Sequence, residues 1–360
     1  MHSPDPGVQL AAFTTLGVGG PAKWYARAAS VEDVREADAW ARERDVPLVV
    51  LAGGSNVLVA DGGFDGLVLR ICTRGISKSS DGDEVMVSAA AGEPWDDLVA
   101  WAVGEGLAGI ECLSGIPGTV GGTPIQNVGA YGQEVSRTID AVTVFDRVGK
   151  TMMRLTADAC EFGYRTSRFK ARDAARFVVC EVTFRLRPGH ATIAYPDLIT
   201  YLEGRGSGAE AATLDDARNA VLAVRRSKGM VLDAADVDTR SVGSFFTNPL
   251  VAEARVVEIE KQAHSRVPTY PAGPGRVKVP AAWLLEHAGF GRGHGAGAVG
   301  LSSKHPLAVI NRGGASARAV VTFAAEIKRR VAERFGVSLV PEPTFLGFGD
   351  DEEVGYLSRT

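Results

Sequence analysis

The sequence predicts a mixed α+β chain of two or three lobes in which strands deliver glycine-rich loops. Three observations predict it. A chain of 360 residues exceeds what one hydrophobic core usually holds. Residues 177–187 alternate more cleanly than any other stretch: Val178, Cys180, Val182, Phe184 and Leu186 face one way, and Val179, Glu181, Thr183, Arg185 and Arg187 the other. That is the pattern of a half-buried strand in an antiparallel or mixed sheet. The apolar run 47–52 leads directly into Gly53-Gly54-Ser55-Asn56, which suits a strand covered on both faces that ends in a turn with free backbone amides.

The elements follow in order. Ser30 and Asp33 have the spacing of a capping box, and Val31, Val34, Ala37, Trp40 and Ala41 then recur at helical spacing, so a helix is expected to about Arg44. Runs 57–59, 67–71, 85–89 and 141–145 read as strands, and Pro94 opens a helix with Trp95, Leu98, Val99 and Ala102 on one face. Residues 190–212 are glycine-rich, and the segment around Tyr195 has few apolar anchors, as a mobile lid would. Thr213 and Asp216 cap a further helix that ends in Arg225-Arg-Ser-Lys228, and a lobe boundary is expected near residue 228. Beyond it an amphipathic helix is expected over about 251–263 and another over 280–287. A long helix over 316–335, with Val320, Ala324, Ile327 and Val331 on one face, stops at Gly336 before a strand over 337–345.

The stretch 115–132, Gly-Ile-Pro-Gly-Thr-Val-Gly-Gly-Thr-Pro-Ile-Gln-Asn-Val-Gly-Ala-Tyr-Gly, has six glycines, two prolines and no charge, yet Ile116, Val120, Ile125 and Val128 keep it apolar. Such a segment can carry neither a helix nor a solvated strand, and its buried amides need partners. The economical partner is a ligand rich in acceptor oxygens, above all a diphosphate, which glycine lets approach the backbone closely. A surface loop would instead carry Ser, Asp and Lys between its glycines.

Composition narrows the class. Apolar residues make up 45% and charged residues 23%, which excludes a disordered or fibrous chain, and a net charge of −4 gives no electrostatic footprint for nucleic acid or an anionic membrane. Cys72, Cys112, Cys160 and Cys180 form no C-x-x-C pair and read as reduced thiols, three of them in apolar surroundings. The six histidines are scattered without ligand spacing, so no metal is expected. The N-terminus has no basic region followed by an apolar one, and no run approaches membrane-spanning length; a cytoplasmic protein is expected. Gly295-Ala-Gly-Ala-Val-Gly300 spells a dinucleotide fingerprint but follows a helix and precedes a strand, the reverse of what that fold requires, and reads as a connecting loop.

Three short motifs could carry chemistry. Residues 162–170 pack three cations and Tyr164 among two phenylalanines, so Arg165 can be aimed at an anion, although a solvated basic loop has the same composition. Ser244, after Gly243 and before Phe245-Phe246, has no histidine base beside it and reads equally as a turn cap. Glu342 is held between Pro341 and Pro343, where a surface residue is the default.

Taken in order, the 53–56 turn, the 115–132 loop, Tyr164-Arg165, Gly243-Ser-Phe-Phe-Thr-Asn-Pro249 and Pro341-Glu-Pro343 resemble the UDP-N-acetylenolpyruvoylglucosamine reductase family over roughly residues 10–348. The turn alone would indicate only the wider superfamily of vanillyl-alcohol-oxidase (PCMH-type) FAD domains. The resemblance implies two FAD-binding subdomains, 9–72 and 73–227, and a substrate-binding domain, 228–348. It implies noncovalent FAD held by Gly53, Gly54, Ser55, Asn56, Gly115, Ile116, Pro117, Gly118, Thr119, Gly121, Gly122, Asn127, Gly129, Ala130 and Tyr131, with NADPH as reductant and a monomer as the working unit. Hydride would pass to the enolpyruvyl ether of UDP-N-acetylglucosamine, Arg165 and Glu342 would stabilise the developing enolate, and Ser244 would protonate the adjacent carbon. Tyr164, Tyr195, Arg225, Lys228, Asn248, Tyr270, Lys278 and His305 would hold the substrate. Tyr195 resembles the mobile tyrosine of one branch of the family, and His305 stands where many relatives have glutamine. The resemblance gives no role to the acidic run 233–240. Two other readings remain in play: an FAD-dependent alcohol or sugar oxidase of the same superfamily, which would not need the Ser244 and Glu342 pair, and a UDP-sugar or flavin binding module without turnover.

Overall fold

The computed structural model describes residues 1–206 and 208–359, which form two compact units. The first comprises Met1–Val8, Ala22–Gly54 and Asp65–Val231; the second comprises Gln9–Pro21, Ser55–Phe64 and Leu232–Thr360. Both mix helices and strands, as the α+β expectation requires.

In the first unit a four-stranded sheet runs in the order Asp5–Gln9, Pro21–Ala28, Phe64–Ile71, Leu48–Leu51, its last pair parallel. Leu48–Leu51 is therefore an edge strand and only partly buried, not covered on both faces as its apolar run suggests. Helix Val31–Glu43 starts at a complete capping box, Ser30 accepting from the Asp33 amide and Asp33 from the Ser30 amide, and buries Val34, Ala37 and Ala41 in the core. A second sheet orders Thr151–Thr156, Ile139–Asp146, Phe177–Pro188, Glu84–Ala90 and Ile76–Asp81, all antiparallel, and Leu107–Ala108 pairs with the far end of Phe177–Pro188. That central strand departs from half-burial: Val179 and Thr183, on its supposedly solvated face, are buried as well. The Thr183 hydroxyl meets the Ser88 hydroxyl at 2.9 Å on the neighbouring strand, which satisfies both groups inside the protein. Helix Trp95–Gly104 buries Trp95, whose indole N–H donates to the Leu113 carbonyl at 3.0 Å.

The second unit is built on the 19-residue helix Ala317–Phe335, where Val320, Ala324, Ile327 and Val331 are fully buried. Its start is over-determined. Ser316 accepts from the Ala319 amide, and the Asp61 carboxylate accepts from the amides of Ala317 and Arg318 at 2.7 and 2.9 Å, a negative charge against the helix N-terminus. Its end is Gly336 at φ +60°, a left-handed cap. Two boundaries differ from expectation. The helix expected from 251 is a strand, Leu250–Ala252, then a short 3-10 turn, then helix Val256–Ala263. The expected strand 337–345 is a strand only at Thr344–Leu346, parallel to Val57–Val59; ahead of it Pro341 makes a single antiparallel bridge with Phe246. No helix among the described residues is long and apolar enough to cross a membrane.

Candidate functional site

In the first unit the loop 115–132 is laced to the start of helix Trp95–Gly104. The Trp95 amide donates to Gly118, and the Val120 and Gly121 amides donate to Glu93 and Ala91. Asp96 accepts the Gly115 amide at 2.6 Å and a two-pronged bond from Arg218 at 2.7 and 2.9 Å. Burial alone would raise the Asp96 carboxyl; the Arg218 and Gly115 bonds and the charges of Arg218 and Arg225 outweigh it and hold the pKa below 3.8. The loop therefore satisfies more of its own amides than its sequence suggests, and it does carry short structure: a 3-10 turn at Val120–Gly122 and a hairpin of Gly129–Ala130 with Gln133–Glu134.

The glycines are still required by close approach. A Cβ on Gly53 would lie 2.5 Å from the Gly118 Cα, and one on Gly121 2.6 Å from the Ala91 Cβ, so the 53–54 turn and the 115–132 loop touch backbone to backbone. Beside that contact the Thr119 hydroxyl is buried with no hydrogen-bond partner among the described residues. A backbone cradle with an orphaned hydroxyl suits a ligand rich in acceptor oxygens, which is what the diphosphate of FAD offers. Asn127, at φ +49°, spends its side chain inside the protein: Nδ2 donates to the Gly163 carbonyl and to Glu134, and Oδ1 accepts the Ser136 amide.

The Asn127 bond to Gly163 reaches a tight hairpin. Gly163 and Thr166 exchange backbone hydrogen bonds, which puts Tyr164 and Arg165 at the tip with Arg165 at φ +55°, an uncommon setting for a side-chain-bearing residue. The Arg165 guanidinium lies 5.8 Å from the Tyr164 ring and donates to the Gly129 carbonyl at 2.8 Å, so its fork is aimed along the glycine loop. A solvated basic loop does not describe this segment. Ser167 and Phe169 are buried, Arg168 is bonded to Asp173 and the Ala159 carbonyl, and Lys170 to Gln126.

Arg225 belongs to the same unit. It donates to the Met230 carbonyl at 2.7 Å while its Nε is buried without a partner among the described residues. Burial lowers the guanidinium pKa against the opposing pull of Tyr131 and Asp96. An incompletely satisfied cation of this kind is completed by an anion. Tyr131 meets Tyr195 edge to face at 5.2 Å, and Lys228 pairs with Asp197 at 2.5 Å. Tyr195 is 40% exposed, but the segment it opens is not short of anchors: it precedes helix Pro196–Glu203, whose Leu198 and Leu202 are buried against Cys112, Ala220 and Val221. Burial pushes the Cys112 thiol up to about 12 and those of Cys160 and Cys180 up to about 11, as suits inert core thiols.

The second unit gathers the others. Gly243 at φ +78° turns the chain into Ser244, after which Phe245 and Phe246 are buried. The Phe245 carbonyl accepts the Glu342 amide at 2.8 Å, and Asn56 Nδ2 donates to the Glu342 carbonyl at 3.3 Å. Three motifs far apart in sequence thus meet, and Glu342 is partly buried, not a surface residue. Asn248 caps helix Ala281–His287 through the Ala281 amide at 2.9 Å, and Tyr270 and Lys278 stand opposite each other on adjacent antiparallel strands. His305 Nδ1 accepts the Leu307 amide at 3.0 Å, which leaves the neutral ring proton on Nε2 as a donor, the polarity a glutamine amide would offer. Asp96 is not marked out by the sequence as a site residue. Asp96 lies in the first turn of its helix, where an acid is favoured, but its partners Gly115 and Arg218 are distant in sequence.

A family model described as an FAD binding domain matches residues 22–153, which include the glycine cradle; the chain is an FAD-binding protein. A second model, the C-terminal domain of UDP-N-acetylenolpyruvoylglucosamine reductase, matches residues 235–346. The enzyme of that name from Thermobifida fusca is 48% identical, covering 94% of this chain and 97% of that one, and the one from Salinispora arenicola is 47% identical, covering 95% and 96%. The crystal structure of the Thermus caldophilus enzyme superposes with a TM-score of 0.64 at 25% identity, covering 95% of this chain and 98% of that one. The chain belongs to the UDP-N-acetylenolpyruvoylglucosamine reductase family.

Proposed function

We propose that the chain reduces the enolpyruvyl ether of UDP-N-acetylglucosamine to UDP-N-acetylmuramate with NADPH, a step of peptidoglycan precursor synthesis. The observation that carries the reading is the meeting of Ser244, Glu342 and Asn56 through the Phe245 and Glu342 backbones, on a chain whose relatives bear this reductase's name. An alcohol or sugar oxidase has no use for that arrangement. When bound, FAD would supply the two-electron redox chemistry between NADPH and the substrate. The 53–54 turn and the 115–132 loop hold its diphosphate by backbone donors and by the Thr119 hydroxyl, with Asn127 and Tyr131 bracing the loop.

Each remaining residue has a task set by its chemistry. Arg165, fixed by Gly129 and Tyr164, holds the substrate carboxylate where negative charge develops, and Glu342 fixes the polarity of the same reacting group. Ser244 donates its proton to the substrate carbon next to the one that receives hydride. Arg225 and Lys228 meet the UDP diphosphate, Tyr195 covers the substrate, and Asn248, Tyr270, Lys278 and His305 also bind it. We keep the functional division into 9–72 and 73–227 for cofactor and 228–348 for substrate; the match of residues 235–346 to the family's C-terminal domain supports the last of these. The four free thiols suit a reducing, cytoplasmic setting, and we propose a monomer as the working unit.

Purified protein is expected to be yellow, to release its flavin on acid denaturation, and to oxidise NADPH only when the enolpyruvyl ether is present. Bleaching of the flavin by an alcohol or sugar in the absence of NADPH, with recovery of the colour in O2, would point to the oxidase. Ser244→Ala divides the reaction: flavin reduction by NADPH stays near the wild-type rate, while reoxidation by the substrate slows beyond the roughly 100-fold to 10,000-fold typical of losing a general acid. Stopped-flow flavin absorbance reads the two halves separately, and equal slowing of both would make Ser244 a structural residue.

A further inference from the structure

The acidic run ahead of Ser244 coils into a 3-10 turn, Val237–Thr239, and places Asp238 in the interior at 6% exposure. A buried carboxylate is costly unless its oxygens are bonded, and among the described residues no cation is bonded to Asp238; Lys304 pairs instead with Asp236 at 2.5 Å. Two of its donors come from one residue, the Ser303 amide at 2.9 Å and the Ser303 hydroxyl at 2.6 Å, and the Ser302 side chain adds to them. Burial would raise this carboxyl, yet the Ser303 and Ser302 bonds and the Lys304 charge hold it below its usual value, so it is ionised at neutral pH.

What the two bonds hold in place is the turn that carries His305. The Ser302 hydroxyl accepts the amides of Lys304 and His305, and the Leu307 amide fixes the His305 ring. From that turn the chain returns alongside the Asp238 segment. Leu307 accepts the Phe245 amide at 2.8 Å, Ser241 bridges Ile310, and the Asn311 amide donates to Arg240. The segment 238–245, which ends in Ser244, and the segment 302–311, which bears His305, are thus two sides of one short antiparallel frame, and Asp238 to Ser303 is its side-chain clasp.

We propose that Asp238 is a positioning residue for proton donation, clasping the His305 turn so that His305 and the Ser244 turn keep one fixed relation to the substrate. The inference rests on the reductase reading. Asp238 touches neither substrate nor flavin; it acts through Ser303 and the frame. Losing the clasp loosens both sides together, and a misplacement of a few tenths of an ångström to an ångström at the donor costs rate without costing the fold.

The test uses the FAD-loaded full chain. In Asp238→Ala the flavin content and the NADPH half-reaction should stay within about twofold of wild type, while reoxidation by the enolpyruvyl ether slows roughly tenfold to a hundredfold. Asp238→Asn, which keeps one acceptor, should recover part of the loss. If the alanine variant does not fold, Ser303→Ala removes the hydroxyl donor from the other side and should slow reoxidation selectively by several-fold. Equal change in both half-reactions, or change in neither, overturns the proposal. Hydrogen exchange provides a readout independent of activity: amides 302–308 and 243–246 should lose protection in the variants, and unchanged protection there also overturns it. A wild-type protein inert toward the enolpyruvyl ether would sink the reductase reading, whereas an active wild type with uniformly behaving Asp238 variants sinks only this inference.

Discussion

The chain has two loops that spell glycine richly, 115–132 in the first unit and 293–301 in the second, and they use glycine for opposite ends. In the first, glycine lets one stretch of backbone lie against another, Gly53 on Gly118 and Gly121 on Ala91, while the Thr119 hydroxyl stays buried without a partner among the described residues. In the second, glycine makes room for the chain's own cation. Arg312 donates to the carbonyls of Gly293, His294, Gly295 and Leu301, and a Cβ on Gly300 would lie 2.4 Å from its guanidinium. The fingerprint at 295–300 is therefore closed by an arginine of the same chain, and its second half is strand Val299–Leu301, not wholly a connecting loop. A glycine pattern reports only that something comes close; what comes close decides whether the loop can take a ligand.

The largest effect expected from this contrast is at Gly53. Gly53→Ala drives a Cβ into the Gly118 backbone, which cannot step aside as a side-chain tip could, so a loss of about 1–3 kcal/mol is expected together with a large drop in flavin content. Gly297→Ala in the other loop meets nothing within 4 Å and suffers only the strain of φ +70°, about 1–2 kcal/mol, with flavin content unchanged. Thermal unfolding and the flavin-to-protein absorbance ratio measure both variants, and full flavin in Gly53→Ala would refute the cradle.

A smaller effect is expected at Arg312, whose bonds lie partly in solvent. Arg312→Ala should cost about 1–2 kcal/mol and leave flavin content and its reduction by NADPH intact. Gly300→Ala should be costly in the wild type and nearly neutral once Arg312 is gone. A double-mutant cycle without that coupling would mean the glycine serves some other purpose.

What could be read in advance follows the same division between local and distant causes. Capping boxes at Ser30 and Thr213, the Gly336 stop and the apolar face of the long helix are written within one turn of chain, and the structure reproduces them. Ordered motifs carried the family and with it the cofactor. Contacts that cross sequence distance were hidden: the Ser88 and Thr183 pair that buries the second face of the central strand, the Phe245 carbonyl that turns Glu342 inward, and the Ser303 donors that give the acidic run its purpose. The anchors of Leu198 and Leu202 were misjudged for a related reason, since their partners Cys112 and Val221 lie on other elements.

The smallest effect distinguishes the two loops by acid. Loop 115–132 is anchored at its first amide by the Asp96 carboxylate, whereas 293–301 is held by the Arg312 guanidinium. Asp96 has a lowered folded pKa, so its stabilising contribution is fully present above the unfolded value of 3.8 and fades as pH falls below it. Protonation weakens the Arg218 pair and the Gly115 bond together, and on descent below about pH 4 the amides at 115–123 should exchange faster before those at 293–301 change. Asp96→Asn should show the faster exchange already at pH 7 and lose the pH dependence. Mass-spectrometric exchange at pH 3 to 7, corrected for intrinsic rates, reads this directly, and simultaneous loosening of both loops in wild type would mean that acid acts on the protein globally and not through Asp96.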